Sequence, residues 1–584
     1  MDPPSNGLVT PLLTDLYQIT MAYAHWKNGR QNDPAVFELF FRKNPFGGEF
    51  TILVGLDEVL KLLASFKYTH GTFLAPSGRG AHSLFRPVHC AEDIEFLKSV
   101  PSLEKCDLGF FDWLLHVDTS QVKVRAIQEG SVVFPRVPLL TIEAPLGVGQ
   151  LLETTLLTLL NFPSLIATNA ARMVMAASPP LSLKGTGRDG AETPPDHPAQ
   201  CFKKPVCIEF GLRRAQGPDG GFSASKYSAI GGFVATSNVQ AGKLCGLRLA
   251  GTHAHAFVQA YSSLDEVKGK TISNRKGNNE QVEILPKVLW YREKLAEMDP
   301  RFKSTNDGEL AAFIAYALAF PDSFLCLIDT YDTLASGILN FVLVGYVLDD
   351  LGYQPRGIRL DSGDLAYLSM EVARYFQGVS NDRPIFAECD IVASNDINEE
   401  ILHAINKQDH AITAYGIGTN LVTCQAQPAL GCVYKLVEIA GVPRMKLSQE
   451  ITKVLIPGKK KAYRLIGKDN RPILDLMVSE SESAPEPGKQ ILCCHPFDGR
   501  KRVLVTPTGV ERLDVTIFEK GAVVQENNRT FEQAKESVQI QLKSIRPDIL
   551  RDRNPTPYKV SVSNCLYNFL HELWQKETPI MELS

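Results

Sequence analysis

Positive charge is not in excess in this sequence: 61 Lys and Arg residues stand against 65 Asp and Glu residues, giving a net charge of −4 with neutral histidine. This balance excludes a generally basic nucleic-acid-binding protein and leaves only local basic patches. Long apolar runs are also missing, and the longest, such as residues 337–348, are too short to cross a bilayer. Residues 1–10 lack the basic and apolar regions of a signal peptide, so we expect neither secretion nor a membrane partner.

Cysteine is sparse as well, with 12 residues among 584 and no disulfide-scaffold spacing. The densest group is Cys493, Cys494 and His495. Their adjacent side chains do not readily converge on one tetrahedral ion, and no second pair stands near them in the sequence. We therefore interpret these cysteines as structural and expect a reducing compartment, the cytosol.

Apolar residues are plentiful: they make up 44% of the chain against 22% charged residues, which is typical of a globular protein with a large core. The chain is too long for one ordinary domain, and three ranges differ in pattern. Residues 1–149 combine an amphipathic helix over 13–26 with short strands. Residues 150–425 alternate apolar strands with helices. Residues 426–584 are rich in β-strands and end in a helix over 564–576.

Six apolar runs in the middle range each end in a polar or glycine-rich turn; they begin at Ile208, Leu249, Cys326, Ile358, Ile391 and Ala414. A helical pattern follows most of them. Strands that are apolar throughout and separated by helices predict a parallel sheet that is buried on both faces. Because an α/β barrel builds its site from polar residues at successive strand ends, we favour a barrel, with a doubly wound open sheet as the alternative.

Two segments, residues 69–90 and 178–206, fit this pattern badly. The second contains Pro179-Pro180 and Pro194-Pro195, and both segments contain glycines but little hydrophobic period. Long structureless loops are uncommon inside a domain. We interpret the two segments as insertions, arising as isoform-specific or retained intronic sequence.

Glycines and paired charges mark two of the strand ends. Gly416, Gly418 and Thr419 follow the last apolar run, where backbone N–H groups and a hydroxyl suit a phosphate; an ordinary turn is the alternative. Arg359 and Asp361 alternate along a strand end and so project to the same face. Together they suit an anion and a sugar diol or Mg²⁺, or else they form a structural ion pair.

Arginines and histidines mark two further strand ends. Arg213 and Arg214 suit a polyphosphate, since each guanidinium group can hold oxygen atoms bidentately, although a solvated face would look the same. His253 and His255 leave three interpretations open. They could hold a metal as a strand pair, although the later strand ends offer no further histidine; one could act as nucleophile or acid/base beside a carboxylate; or both could be structural.

Taken together, these residues indicate a site for a phosphorylated, multiply anionic sugar, with Mg²⁺ as its natural companion. Phosphoribosyl transfer from a sugar diphosphate fits this set. Such a reaction develops cationic character at the anomeric carbon, so it requires a firmly held pyrophosphate and a nucleophile aligned opposite to it.

At these motifs the sequence resembles the nicotinate phosphoribosyltransferase family, in its vertebrate form. The shared motifs run through nearly the whole chain: LLTDLYQITM (12–21), FELFFRKNPFGG (37–48), ATNAAR (167–172), EFGLRRAQGPDGG, GTHAH, IDTYDT, RLDSGDL, GIGT and VYKLVEIAGVPRMKLS (433–448). The resemblance implies a type II phosphoribosyltransferase. Its fold is an irregular α/β barrel with flanking N-terminal α/β and C-terminal β-rich domains, and it works as a homodimer.

The resemblance also implies the reaction. Nicotinate and 5-phosphoribosyl 1-diphosphate give nicotinate mononucleotide and pyrophosphate, with ATP as co-substrate and Mg²⁺ or Mn²⁺ as the metal. This is the first step of NAD biosynthesis from nicotinate, the Preiss–Handler pathway. In the implied catalytic set His255 carries the phosphoryl group from ATP, Asp361 faces the ribose hydroxyls or the metal, and Arg213 holds phosphate groups.

The family further implies residues that bind the substrates. Tyr17 would stack on the pyridine ring opposite Phe210, and Arg359 and Thr252 would lie near the nicotinate carboxylate. The turn with Gly416, Gly418 and Thr419 would hold the sugar phosphate.

Two alternatives remain at this stage. The sister enzyme that uses nicotinamide has, by our alignment, an Asp where this chain has Ser237; a carboxylate there would repel nicotinate, so Ser237 favours the acid. The other alternative is a non-catalytic member whose site has been spoiled by the insertions, the second of which adjoins the catalytic strand at Ile208. The motif residues themselves speak for an active enzyme.

Overall fold

Parallel strands alternating with helices occupy the middle of the chain, whereas its two ends build mainly antiparallel sheets. The computed structural model describes residues 6–69, 93–177 and 204–580. The chain divides into two units, Met1–Thr168 with Ala426–Ser584, and Asn169–Gln425. The insertions predicted at 69–90 and 178–206 lie outside the described residues, except for Thr69 and residues 204–206, and Val206 already begins a strand.

Both ends of the chain supply strands to the first unit. These are β1 (Pro34–Phe41), β2 (Thr51–Leu53), β3 (Lys123–Ile127), β4 (Ser131–Val133), β5 (Leu140–Pro145), β14 (Cys432–Ile439), β15 (Val442–Pro443), β16 (Lys460–Ile466), β17 (Pro472–Ser479), β18 (Ile491–Cys494), β19 (Arg502–Val505), β20 (Gly509–Arg512), β21 (Asp514–Glu519), β22 (Ala522–Val523) and β23 (Lys559–Ser563). They form a sheet of order β15-β14-β1-β5-β3-β21-β22, a second of order β19-β18-β23-β17-β16-β20, and the pair β2-β4.

Helices cover these sheets: α1 (Leu16–Lys27), α2 (Leu56–Ser65), α3 (Asp93–Ser99), α4 (Leu108–Leu115), α5 (Leu146–Leu151), α16 (Phe531–Ser544) and α17 (Asn564–Glu577). Helix α6 (Glu153–Ala176) continues into the second unit. The structure confirms the helices predicted at 13–26 and 564–576, since α1 and α17 coincide with them.

Strand β1 joins the two ends of the chain. It is buried along nearly its whole length and pairs antiparallel with both β5 and β14. Phe37 of β1 stacks on Tyr434 of β14 with 4.9 Å between ring centroids, and the Glu38 carboxylate meets Lys460 Nζ at 2.9 Å. Ranges 1–149 and 426–584 thus contribute to a common sheet, and the division into domains at 1–149, 150–425 and 426–584 stays a prediction.

The second unit contains the parallel sheet. Its strands are β6 (Val206–Glu209), β7 (Ala235–Thr236), β8 (Thr271–Ser273), β9 (Gln281–Glu283), β10 (Leu325–Leu327), β11 (Gly357–Leu360), β12 (Asp390–Ala393) and β13 (Ala414–Ile417). Six of them are parallel in the order β10-β11-β12-β13-β6-β7, and β8 pairs with β9. The sheet is curved, and the predicted irregular α/β barrel is confirmed.

Nine helices of this unit follow or flank the strands in the described residues: α7 (Gly217–Ile230), α8 (Val239–Cys245), α9 (His255–Gln259), α10 (Ile284–Ala296), α11 (Asp307–Ala319), α12 (Ile338–Asp350), α13 (Leu365–Ser380), α14 (Glu399–Ile405) and α15 (Thr419–Thr423). The alternation of apolar strands and helices therefore follows the sequence pattern.

The strand predicted at Leu249 is wrong. Leu249 makes a single parallel bridge to Thr236 of β7. Four residues further on, His253 Nε2 accepts a hydrogen bond from the backbone N–H of Leu327 in β10 at 3.4 Å. The segment therefore spans from one edge strand of the sheet to the other rather than forming a ladder. Strand β7, only two residues long, was not predicted because so short a run carries no periodicity.

The helix that contains the apolar run 337–348 is longer than the run itself. The run lies within a continuous helical stretch, Thr333–Asp350, whose length and mean hydropathy of 1.3 would suffice to cross a membrane. However, 72% of that stretch is buried inside the protein. Such burial is typical of a core helix, which is apolar on all sides because it is covered on all sides.

Candidate active site

Residues that follow the parallel strands meet at one edge of the sheet, as expected where carboxyl ends of parallel strands lie side by side. The central group is Arg359, Asp361 and Ser394. Arg359 Nε donates to Ser394 Oγ at 2.8 Å, Ser394 Oγ donates to Asp361 Oδ1 at 2.6 Å, and Arg359 Nη2 reaches the same carboxylate oxygen at 3.3 Å. The prediction that Arg359 and Asp361 share a face is confirmed.

His255 stands beside this group at the first residue of α9. Its Nε2 lies 3.7 Å from Asp361 Oδ2 and 3.9 Å from Asp329 Oδ1, and its Nδ1 lies 3.1 Å from Thr330 Oγ1. The side chain is 39% exposed, so the ring is open to a ligand on one side. One imidazole oriented by carboxylates is the arrangement of a nucleophile or an acid/base.

His253 points elsewhere, because the chain turns from an extended conformation into α9 between the two histidines. Its ring lies among Phe257, Phe313 and Tyr316, and burial lowers the pKa of His253 to about 4. It is therefore a neutral, structural histidine at neutral pH. The two rings do not share a face, so the strand-type metal pair is wrong, whereas a nucleophilic or acid/base role for His255 stays a prediction.

Asp329 also lies next to His255, although the sequence pattern did not single it out. Its side chain is 3% exposed, and its Oδ2 accepts from the Asp361 backbone N–H at 3.1 Å and from the Ser362 hydroxyl. Its Oδ1 is buried without a hydrogen-bond partner. The sequence does carry a signal for Asp329, since an Asp followed by a hydroxyl residue comes after both apolar runs, as Asp329-Thr330 and Asp361-Ser362. That the two Asp residues lie side by side follows only from the structure, in which Leu327 pairs with Arg359.

Phe210 supplies an aromatic wall next to these charges. Its ring centroid lies 5.5 Å from Arg359 Cζ. The ring also packs directly on Gly416, where an added Cβ would come within 2.4 Å of Phe210 Cδ2. Gly416 therefore allows the close approach of the ring, and its part in phosphate binding stays a prediction.

The Glu209 side chain links the end of β6 to the end of β7 through hydrogen bonds. This carboxylate is fully buried and accepts from the Ser225 hydroxyl at 2.9 Å, the Thr236 hydroxyl and the backbone N–H of Gly211. Because Phe210 lies between Glu209 and Gly211, the network fixes the backbone that carries the ring. The exposed Ser237 is held by the same turn, since its N–H donates to the Glu209 carbonyl at 2.9 Å.

The phosphate turn predicted at Gly418 and Thr419 opens helix α15. The Thr419 hydroxyl accepts from Arg214 Nη1 at 3.1 Å, and Arg214 also lies 3.7 Å from Asp396. Arg214 is thus the arginine of the pair whose side chain contacts the turn. Arg213 is exposed.

Two predicted ligand-binding residues, Thr252 and Tyr17, make no described contact with the central group of the site. The hydroxyl of Thr252 is buried without a hydrogen-bond partner, as expected of a group left for a ligand. Tyr17 lies on α1 of the first unit and is 50% exposed. Its stacking opposite Phe210 stays a prediction.

A divalent metal is compatible with this donor set. No group of three His, Cys, Asp or Glu residues among the described ranges could hold an ion by itself. Mg²⁺, however, takes one or two carboxylates together with water and substrate phosphates. Asp361 and the orphaned Oδ1 of Asp329 offer two carboxylates on one side of the site.

Comparison with known proteins gives a consistent result along the chain. Residues 206–470 match a profile described as the nicotinate phosphoribosyltransferase (NAPRTase) family. Residues 12–74 and 89–161 match the N-terminal domain of that enzyme, and residues 459–570 match its C-terminal domain.

Whole-chain similarity points the same way. A nicotinate phosphoribosyltransferase of Arabidopsis thaliana is 48% identical over 99% of this chain and 96% of its own length. The Homo sapiens protein of that name is 38% identical over 99% of both chains, and the crystal structure of human nicotinic acid phosphoribosyltransferase has a TM-score of 0.78 over 96% of this chain and 99% of that one. Identity is higher to the plant protein than to the human one, so the motifs identify the family rather than a vertebrate form. The chain belongs to the nicotinate phosphoribosyltransferase family and is a phosphoribosyltransferase.

Proposed function

We propose that this protein joins nicotinate to 5-phosphoribosyl 1-diphosphate, giving nicotinate mononucleotide and pyrophosphate, in an ATP-coupled reaction that passes through a phosphohistidine at His255. The observation that carries the proposal is the position of His255, exposed on one side and faced by Asp361, Asp329 and Thr330. The reaction would be the first step of NAD biosynthesis from nicotinate.

Binding of the planar, anionic base is supported by Phe210 and Arg359. The ring offers a face for stacking, and the guanidinium beside it offers N–H groups for a carboxylate. Arg359 Nε is held by Ser394, which fixes the direction of the guanidinium before the base arrives. Thr252 would add a hydroxyl, and Tyr17 would cover the second face of the ring.

The sugar diphosphate needs contacts of a different kind. Asp361 lies beside His255 and would bind the ribose hydroxyls or Mg²⁺, the latter supplying positive charge to the diphosphate when bound. The turn with Gly418 and Thr419 would take the sugar phosphate through its backbone N–H groups and hydroxyl. Arg213 and its neighbour Arg214 would hold the remaining phosphate charge.

The two ring nitrogens of His255 have different surroundings. A proton on Nε2 faces both carboxylates, whereas Nδ1 lies within hydrogen-bond distance of the Thr330 hydroxyl, which can donate to a lone pair. The partner of one nitrogen sets the tautomer of the other. Nδ1 is therefore the nitrogen we assign as phosphoryl acceptor, with Asp361 and Asp329 stabilising the charge that develops on the ring.

The test is mononucleotide formation from 5-phosphoribosyl 1-diphosphate and Mg²⁺ or Mn²⁺, with nicotinate and nicotinamide offered separately, with and without ATP. We expect product from nicotinate, stimulated by ATP, and phosphate exchange between ADP and ATP. His255→Ala should abolish both the stimulation and the exchange. His116→Ala, at an exposed histidine of the first unit, is the control and should change neither. Exchange that survives His255→Ala would refute the phosphohistidine.

A homodimer in the cytosol completes the proposal. The assembly is tested by the mass of the purified protein in solution by light scattering, where a mass corresponding to one chain of 64.5 kDa would contradict it.

A further inference from the structure

We propose that Glu309 is a positioning residue for His255. Its buried carboxyl group holds the C-terminal end of the loop 329–336, and thereby fixes the positions of Asp329 and Thr330 relative to the imidazole. This inference rests on the proposed function of His255. Nothing in the sequence pattern of α11 singles out Glu309, which is fully buried.

Two side chains, one just before and one near the start of α12, donate to the same carboxylate oxygen of Glu309. Glu309 Oε2 accepts from the Ser336 hydroxyl at 2.6 Å and from Asn340 Nδ2 at 3.0 Å. Ser336 Oγ in turn accepts from the backbone N–H of Asn306 at 3.0 Å, and Asn340 Nδ2 lies 3.1 Å from the Asn306 carbonyl oxygen. The start of α11 is thereby tied to the start of α12 by polar contacts inside an otherwise apolar interface.

Gly337, the residue after Ser336, connects these contacts to the site. It packs so closely on the end of β10 that an added Cβ would lie 1.9 Å from the carbonyl oxygen of Ile328. Ile328 immediately precedes Asp329. The path from Glu309 to His255 therefore runs through Ser336, the contact between Gly337 and Ile328, and Asp329.

Hydrogen bonds also fix the conformation of the loop between Asp329 and Ser336. Asp332 Oδ1 accepts from the backbone N–H groups of Leu334 and Ala335, which starts a single π-helical turn over Thr333–Gly337. Such turns are rare and occur often at functional sites. A loop fixed at Asp329 and at Ser336 keeps the Thr330 hydroxyl against His255 Nδ1.

The chemistry of Glu309 suits a pH-dependent anchor. Its Oε1 and the Oδ1 of Asn340 are both buried without a hydrogen-bond partner. Burial is the main cause that raises the pKa of Glu309 to about 7, and the negative charges of Asp332 and Asp329 raise it further. The other titratable groups on α11 and on the segments packed against it are Asp307, Tyr316, His253, His255, Asp265, Glu266, Asp322, Cys326, Tyr346, Asp349 and Asp350.

Glu309→Gln tests the inference, because it keeps the shape of the side chain but removes its titration. The first readout is the nitrogen NMR signal of the His255 imidazole as a function of pH, which requires no turnover. In the wild type we expect an inflection near neutral pH from Glu309, and its loss in the variant. Glu293→Gln, at a 69% exposed residue of the same unit, is the matched control and should keep the inflection.

The second readout is ADP–ATP phosphate exchange over the same pH range. We expect Glu309→Gln to lower the maximal rate by about tenfold and to flatten its pH profile, with the KM for ATP unchanged within about twofold, since only the alignment of His255 changes. Ser336→Ala leaves the carboxyl in place and should raise the pH of the inflection, because one donor to the ionised form is lost.

The two proposals fail separately. Absence of exchange in the wild type, together with an NMR inflection that depends on Glu309, would refute the phosphohistidine and leave the positioning role intact. Exchange in the wild type with an unchanged imidazole signal and pH profile in Glu309→Gln would overturn the positioning role. If Glu309→Gln does not fold, an unshifted inflection in Ser336→Ala overturns it equally.

Discussion

Gly416→Ala should separate binding of the base from binding of the sugar diphosphate. The added Cβ would lie 2.4 Å from Cδ2 and 2.5 Å from Cε2 of Phe210, about 1 Å closer than carbon atoms normally approach. The strand backbone is fixed by ladder bonds on both sides, so the ring has to move. Overpacking of this kind costs about 1–3 kcal/mol of folding free energy.

The displaced ring leaves its place beside Arg359 and no longer offers its face to the pyridine ring. Loss of an aromatic contact worth about 0.5–1.5 kcal/mol corresponds to roughly a two- to tenfold rise in the KM for nicotinate. The KM for 5-phosphoribosyl 1-diphosphate should rise less, because the added Cβ at Gly416 points at the Phe210 ring, while the predicted contact residues Asp361, Gly418 and Thr419 are unchanged in the variant.

Gly378→Ala is the matched control. Gly378 lies in α13, where an added Cβ would meet nothing within 4 Å. Alanine at this helical position should stabilise the protein by about 0.5–1 kcal/mol and leave both KM values unchanged. Urea unfolding and steady-state kinetics on both variants decide the matter. Equal rises of both KM values in Gly416→Ala, or none, would refute the reasoning from ring displacement.

Three further predictions concern charge. Lys460→Met leaves the Glu38 carboxylate, 2% exposed, without its cation, and should lower the free energy of unfolding by about 3–5 kcal/mol in urea titration; a loss below about 1 kcal/mol would contradict it. Because the pKa of Glu309 is raised to about 7, the folded state keeps a proton that the unfolded chain releases, so the free energy of unfolding should fall by up to about 3 kcal/mol as pH rises from about 5 to 7. Glu309→Gln should remove that fall, as measured by urea midpoints at each pH. Ser237→Asp, at an exposed residue, should raise the KM for nicotinate by like-charge repulsion; unchanged nicotinate kinetics would refute its role in specificity.

Local pattern was sufficient to find most of the barrel. The apolar runs at Ile208, Cys326, Ile358, Ile391 and Ala414 became strands because each is too apolar to stand in water on either face. Strand alternation also placed Arg359 and Asp361 on one side, since a period of two is a property of the extended backbone itself.

Partners across the fold could not be found in this way. His253 and His255 were indistinguishable until α9 turned one towards Phe313 and the other towards Asp361. Arg214 is the arginine that contacts Thr419, and the 3₁₀ turn that carries both arginines is too short to have a period from which this could be predicted.

The sequence by itself determined the class of the protein: its strand and helix periods, the glycine turns and the charged residues at strand ends together carry the phosphoribosyltransferase pattern. Tertiary structure alone decided the pairing of β1 with β14, the bridge at Leu249, and the places of Asp329 and Glu309. The physical reason is that periodicity records which side of an element is buried, whereas contacts between residues far apart in the chain depend on closure of the whole sheet.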